Sequence, residues 1–159
     1  MARLTATVTQ GGADAFAIAN LATALSGIKG VAYKVLELSL EFILPAVAIF
    51  PIQVAAAQDL EVALARRTKA AMPNISDVDV IKKWAWAAVF STAVGQQEAF
   101  GYVASWVPQG EILIVEDPLF IMIDSTATTG IWSAVVNIEY EPQKISEIDR
   151  LSLLTLSLD

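Results

Sequence analysis

The segment Tyr33–Phe42, YKVLELSLEF, decides the fold class, because its apolar side chains recur at every second position. Those on one side are Leu36, Leu38, Leu40 and Phe42, and the polar ones between them are Glu37, Ser39 and Glu41. A period of two is typical of a strand with one buried face. In a helix the same apolar residues would scatter around the axis. The segment therefore predicts a half-buried β-strand.

The same alternation returns along the chain. It is found in Leu60–Leu64, Trp84–Phe90 and Trp132–Tyr140, and the threonine-rich segment Leu4–Gln10 also favours a strand. We count about eight strands in all, at irregular spacing and with long connections. Neither a repeat nor a linker interrupts residues 1–159, so we expect one domain. These features predict an all-β fold, an eight-stranded jelly-roll β-sandwich or barrel.

Helical features are confined to short segments. Ser146–Leu156 predicts one short C-terminal helix, because Ser146 followed by Asp149 resembles a capping box and apolar residues follow at helical spacing. A short turn of helix is also predicted at Asp77–Trp84. For residues 14–25 both strand and helix remain open, with strand favoured because glycines follow the segment.

One turn signal predicts a hairpin. Glu116-Asp117-Pro118 separates two apolar segments, Ile112–Val115 and Leu119–Asp124. Acidic residues followed by proline are typical of turns. We therefore expect these segments to pair as a tight hairpin.

The composition predicts self-association. Hydrophobic residues make up 55% of the 159 residues and charged residues 17%, whereas about 25% charged is usual. Too few polar residues remain to cover an isolated globule, so its surface must be covered by other subunits or by lipid. The longest uncharged run, Phe42–Gln58, is too short for a spanning helix and is broken by Pro45 and Pro51. We therefore expect a homo-oligomer without a transmembrane span.

The residue inventory also narrows the chemistry. The chain contains neither histidine nor cysteine, which excludes histidine-dependent triads, thiolate nucleophiles, zinc ribbons and disulfides. With a net charge of −7 and one basic residue within Met1–Thr5, strong nucleic-acid binding is not expected. We predict a protein that is not an enzyme and that needs no cofactor and no metal.

Several groups of residues are candidate sites. The oxygen ligands Asn74, Ser76, Asp77 and Asp79 fit a calcium or magnesium site weakly, because they lack the EF-hand spacing. Carboxylate pairs that a glycosidase would need are Glu116 with Asp117 and Glu139 with Glu141. For both groups solvation or helix capping is the favoured explanation.

Half of the basic residues fall in two segments, and they are Arg66, Arg67, Lys69, Lys82 and Lys83. Pairing with carboxylates of a neighbouring subunit is favoured over nucleic acid for this group. The four tryptophans are Trp84, Trp86, Trp106 and Trp132. Together with Tyr33, Tyr102 and Tyr140 they remain open as core, interface or sugar-stacking residues, although core and interface positions are commoner for such side chains.

The subunit contacts are assigned to the apolar, proline-broken stretch Phe42–Ala57, to Trp106 and to the leucine-rich C-terminal segment. The individual candidates are Phe42, Ile43, Leu44, Phe50, Ile52, Trp106, Leu151, Leu154 and Leu156.

The overall run of elements resembles a known class of viral protein. Ala13-Asp14-Ala15-Phe16 leads into the long strand that ends at Glu41-Phe42, and the strand Val135–Glu141 precedes Lys144–Ile148 and the leucine-rich segment. This order is similar to that of small single jelly-roll coat proteins of icosahedral viruses. The resemblance implies a capsid shell subunit in the virion, with itself and other virion proteins as partners and no catalytic residues. A carbohydrate- or receptor-binding β-sandwich of a phage or surface appendage is the alternative.

Overall fold

The computed structural model describes residues 2–25, 28–43, 57–89, 103–128 and 130–156. In these ranges the chain forms nine strands and one helix. The strands are β1 (Ala2–Thr9), β2 (Ala17–Leu21), β3 (Val31–Ile43), β4 (Ala57–Ala65), β5 (Val80–Val89), β6 (Val103–Trp106), β7 (Leu113–Ile114), β8 (Leu119–Thr126) and β9 (Ser133–Lys144), and the helix is α1 (Glu147–Leu156).

The strands form two antiparallel sheets. Sheet A has the order β1-β9-β3-β6, with β7 also pairing with β3, and sheet B has the order β2-β8-β4-β5. The pairs are nested along the chain: β1 pairs with β9, β2 with β8, β3 with β6 and β4 with β5. The prediction of an all-β, sandwich-like fold with one short helix is confirmed. There are nine described strands where about eight were predicted, and the shortest, β7, has two residues.

The core lies between the sheets and follows the alternation of β3. Leu38 and Leu40 are fully buried, whereas Glu41 is exposed. The register between β3 and β9 shifts between Val35 and Glu37. Val35 is therefore buried while Leu36 is half-buried, although simple alternation placed Leu36 in the buried row.

A second, smaller cluster covers part of the outer face of sheet B. Ala63, Ala65 and Met122 are fully buried there. Phe16, from the β1–β2 connection, and Met72, from the β4–β5 connection, pack against them. The alanines at outward positions of β4 therefore leave room for these two connections to cover the sheet.

Two local predictions were wrong. The segment predicted as a helical turn at Asp77–Trp84 contains a tight turn, in which Val80 donates to the Asp77 carbonyl, and then strand β5. Alternation of Trp84 and Trp86 with smaller residues fits a strand, and this pattern prevailed over the capping signal. The predicted hairpin around Pro118 is instead a crossing between sheets, since β7 pairs with β3 and β8 pairs with β4.

Two other local predictions agree with the structure. Residues 14–25 contain strand β2 rather than a helix. The helix α1 is capped as expected, because the Asp149 backbone N–H donates to Ser146 Oγ at 3.0 Å and Ser146 Oγ donates to an Asp149 carboxylate oxygen. No helix among the described residues is both long enough and apolar enough to span a membrane.

Candidate subunit interface

Helix α1 exposes two of its apolar side chains and partly buries a charged one. Ile148 is 77% exposed and Leu151 is 52% exposed. The Arg150 side chain is only 16% exposed, and its Nε is buried without a hydrogen-bond partner in the described part of the chain. A surface helix of an isolated domain turns its apolar stripe towards the core. In α1 the half-buried Leu153 and Leu154 follow this rule, whereas Ile148 and Leu151 leave apolar surface in contact with water.

A surface cavity lies beside the C-terminal half of α1. Its volume is about 280 Å³, and its lining includes Leu153 of α1, Ile112 and Val78. Arg66 and Glu111 supply charged groups to the same lining. Val78 is 69% exposed, so an apolar side chain of another molecule that entered this cavity would lose contact with water and shield Val78.

Trp106 closes the open edge between the sheets. It lies on β6, at one edge of sheet A, and packs partly against the core. The Lys82 ammonium of β5, at the edge of sheet B, lies 4.7 Å from the centroid of the Trp106 ring. This cation–π contact holds the two sheet edges together. Trp106 therefore already makes contacts within its own chain. Its half-buried ring is expected at the edge of a subunit contact rather than at its centre.

Phe42, which the sequence predicted as a subunit contact, is instead buried in the core. It is 4% exposed and makes edge-to-face contacts with Trp86 and Trp132, at centroid distances of 5.2 and 5.8 Å. The alternation that predicts β3 also directs Phe42 inwards, so its ring is not available to a neighbouring subunit. The next residue, Ile43, points to the outer face and is 51% exposed.

The remaining candidates divide into two groups. Leu151 is exposed and Leu154 is half-buried on α1. Leu44, Phe50, Ile52 and the Leu156 side chain lie outside the described residues. Ile148, whose side chain is more exposed than the other described apolar ones of α1, was not among the predicted contact residues. Ile148 lies three residues before Leu151, so the two share one face of the helix. The sequence predicts this shared face but does not indicate whether it turns towards the core or towards solvent.

Most of these basic residues form ion pairs with carboxylates of their own chain. Arg66 binds Glu116, and Lys83 lies 2.8 Å from a Glu61 carboxylate oxygen. Lys69 lies 2.7 Å from Asp79. The prediction of intersubunit pairing missed these contacts, because the carboxylates come from three separate places, β4, the β4–β5 connection and the β7–β8 connection.

The candidate cation ligands Asp77 and Asp79 are neutralised by the same cations. Lys69 contacts both, and Arg67 lies 3.6 Å from Asp79. The backbone N–H of Asp79 donates to Asp77 and, together with Lys69, holds the pKa of Asp77 below its usual value. Hydrogen bonds to Asp79 and Asp77 raise the pKa of Lys69. Among the described residues no acidic cluster has the arrangement of a metal site.

The tryptophans do not form a sugar-stacking platform. Trp132 is fully buried and Trp84 nearly so. Trp86 and Trp106 are partly buried against the same core. In each carboxylate pair considered for a glycosidase, one member forms an ion pair with a cation of this chain. Glu116 binds Arg66, and a Glu141 carboxylate oxygen lies 3.4 Å from the Lys34 ammonium.

A buried polar network joins the β1–β2 and β8–β9 connections and was not foreseen. Gln10 is its centre: its Nε2 donates to Ser125 Oγ and to the Ala15 carbonyl, and its Oε1 accepts from the Trp132 backbone N–H. Asp14 accepts from Ser125 Oγ and from both the N–H and the hydroxyl of Thr128. Apart from the bond between Gln10 and Ala15, these contacts span more than 100 positions in sequence, so local patterns carried no signal for them.

A scan against protein-family models and a search of curated proteins found no match to this chain. Its role is therefore inferred from its own residues.

Proposed function

We propose that this chain is a capsid shell subunit, a structural virion protein with a jelly-roll fold that assembles with copies of itself through apolar lateral contacts. In this proposal it has no catalytic role and needs no cofactor. Other virion proteins are further partners where the shell requires them.

The order of the strands supports the jelly-roll part of the proposal. A jelly roll is a long antiparallel hairpin rolled into two sheets, so first and last strands pair, then second and next to last. The pairs β1–β9, β2–β8, β3–β6 and β4–β5 have this nesting, and β7 beside β3 continues the strand position of β6. Capsid and lectin domains both use this architecture, so the choice between them depends on the surface.

The orientation of helix α1 is the observation that carries the assembly part. Its exposed Ile148 and Leu151 leave an isolated copy with apolar surface in water. Contact with another copy removes this surface from water and gains about 25 cal/mol for each Å² of apolar area. Repetition of one modest contact around symmetry axes closes a shell.

The positions of the tryptophans favour a shell subunit over a sugar-binding module. A sugar-binding module needs aromatic faces exposed together. All four tryptophans instead pack against the core. A jelly roll would be an architecture that lectins share. The packing of the tryptophans favours a structural subunit, although Tyr33 and Tyr140 form a half-buried stacked pair with ring centroids 4.0 Å apart.

Purified full-length protein examined by size-exclusion chromatography with light scattering and by negative-stain electron microscopy tests the proposal. We expect closed particles of uniform diameter at micromolar protein concentration. A monodisperse monomer at that concentration contradicts assembly, and open filaments or single rings contradict a closed shell. A glycan array with specific hits on a monomer would favour the sugar-binding alternative instead.

A further inference from the structure

Strand β1 is an open edge of sheet A. Among the described residues its neighbour in the sheet is β9 alone. The ladder between them continues to Gln10, whose backbone N–H donates to the Trp132 carbonyl at 3.0 Å. In an antiparallel pair, alternate residues direct both backbone groups to the same neighbour. The even-numbered residues of β1 therefore direct their backbone N–H and C=O groups towards β9. Those of the odd-numbered residues point away from β9, and these residues are Arg3, Thr5, Thr7 and Thr9.

This edge has few of the features that normally protect one. Proteins blunt exposed edges with short strands, charged residues, prolines or bulges. The described edge strands β2 and β6 have five and four residues, and β5 carries Lys82 and Lys83 and a register shift against β4. β1 has eight residues, ARLTATVT, in unbroken register with β9 and without proline, and Arg3, near its start, is its one charged residue.

We propose that β1 is a docking edge for β1 of a second copy of this chain, in antiparallel orientation about a twofold axis. The proposal deepens the proposed function and rests on it for the identity of the partner, because it names one contact through which copies associate. The two A sheets would then join into one continuous sheet.

The strand's own residues select one register. Residues whose side chains point away from the core must lie opposite residues of the same kind in the second copy, because a slip by one position turns each side chain to the wrong face. On β1 these outward residues are also the ones whose backbone groups point away from β9. With Ala6 opposite Ala6 of the second copy, Thr5 lies opposite Thr7 and Arg3 opposite Thr9. All four outward residues of both copies then exchange backbone hydrogen bonds, about eight in total. Leu4 lies opposite Val8 on the inner face, so the apolar layer also continues across the axis.

Disulfide trapping tests this register directly, because the natural chain has no cysteine. Ala6 would form a non-hydrogen-bonded pair across the axis, with Cα atoms about 4.5 Å apart, within the disulfide range of about 4.4–6.8 Å. We expect Ala6→Cys to give a covalent dimer on mild oxidation. The matched control is Ala19→Cys, on the shorter edge strand β2, where the alanine is likewise half-buried against the core. No dimer from Ala6→Cys, or equal dimer from both variants, overturns the proposal.

A second pair of variants tests the backbone contact. Thr7→Pro removes one outward N–H, which an edge strand tolerates, while Thr7→Val keeps it and removes only the hydroxyl. We expect Thr7→Pro to raise the Kd of self-association about tenfold or more, and Thr7→Val to leave it nearly unchanged, in sedimentation velocity. Equal Kd values for the two variants contradict the pairing, and if Thr7→Pro fails to fold, the disulfide result decides.

The outcomes separate this contact from the proposed function. Shells that form without an Ala6→Cys cross-link reject the β1 pairing and leave the capsid role intact. A cross-linked dimer that never assembles further supports the β1 pairing and rejects the capsid role.

Discussion

Glu61 of β4 lies directly opposite Asp124 of β8, so two carboxylates face each other across neighbouring strands. Lys83 of β5 pairs with Glu61 at 2.8 Å and also donates to the Pro73 carbonyl. Burial raises the pKa of Asp124, and the charges of Glu61 and Asp14 raise it further, whereas the Ser125 backbone N–H lowers it. The Asp124 carboxylate is therefore more readily protonated in the folded chain than in the unfolded one.

Asp124→Asn is expected to raise the free energy of unfolding at pH 7 by about 0.2–1 kcal/mol, because it removes a like charge opposite Glu61. The folded-state pKa lies above the unfolded one, so the natural chain loses stability as pH rises from the unfolded value through the folded value. The gain from the substitution should therefore shrink towards about pH 4. Urea denaturation at both pH values checks this, and an equal difference at the two pH values would contradict it.

Arg66→Met is expected to lower the free energy of unfolding by about 3–5 kcal/mol, because it leaves the buried Glu116 carboxylate without its cation. The two side chains are 18% and 9% exposed, and Arg66 also donates to the Leu113 carbonyl at 3.1 Å. The double variant Arg66→Met with Glu116→Gln serves as control in urea denaturation. It should be more stable than Arg66→Met alone, and purely additive losses would show that the pair is not coupled.

Gln10→Ala is expected to lower the free energy of unfolding by about 1–3 kcal/mol, because it leaves the buried Trp132 backbone N–H without its acceptor and the Ala15 carbonyl without its donor. Gln10 itself is nearly inaccessible to solvent. Asn20→Ala makes a similar truncation at an exposed position of β2 and should change stability by less than about 0.5 kcal/mol. Thermal or urea unfolding of the two variants compares them, and similar losses would argue against the network.

Ile148→Ser is expected to weaken self-association while leaving the stability of the isolated subunit within about 0.5 kcal/mol, because the side chain is exposed in a single copy. Light scattering across a concentration series, with urea denaturation at low concentration, separates the two effects. Ile75→Ser is the control, since Ile75 is 71% exposed but lies in the β4–β5 connection. Weakened association for the control alone would move the contact surface away from α1.

Lys69→Met is expected to lower stability, because Asp79 is almost fully buried and would keep only Arg67 as a charged partner. The lowered pKa of Asp77 means that its contribution is present at neutral pH and is lost as pH falls through the folded-state pKa. The difference in unfolding free energy between natural protein and variant should therefore diminish in acid. A difference that grows on acidification would contradict this account.

The sequence by itself determined the β character, the strand at residues 33–42, the capped C-terminal helix and the chain's excess of apolar side chains. These follow from periodicity, capping residues and composition, which act between residues close in sequence. Tertiary structure decided that Val35 rather than Leu36 is buried, that Phe42 belongs to the core, that the basic residues find carboxylates in their own chain, and that α1 turns Ile148 outwards. Each of these depends on a register shift, a crossing between sheets or a contact between distant segments, and such relationships exist only once the strands have paired.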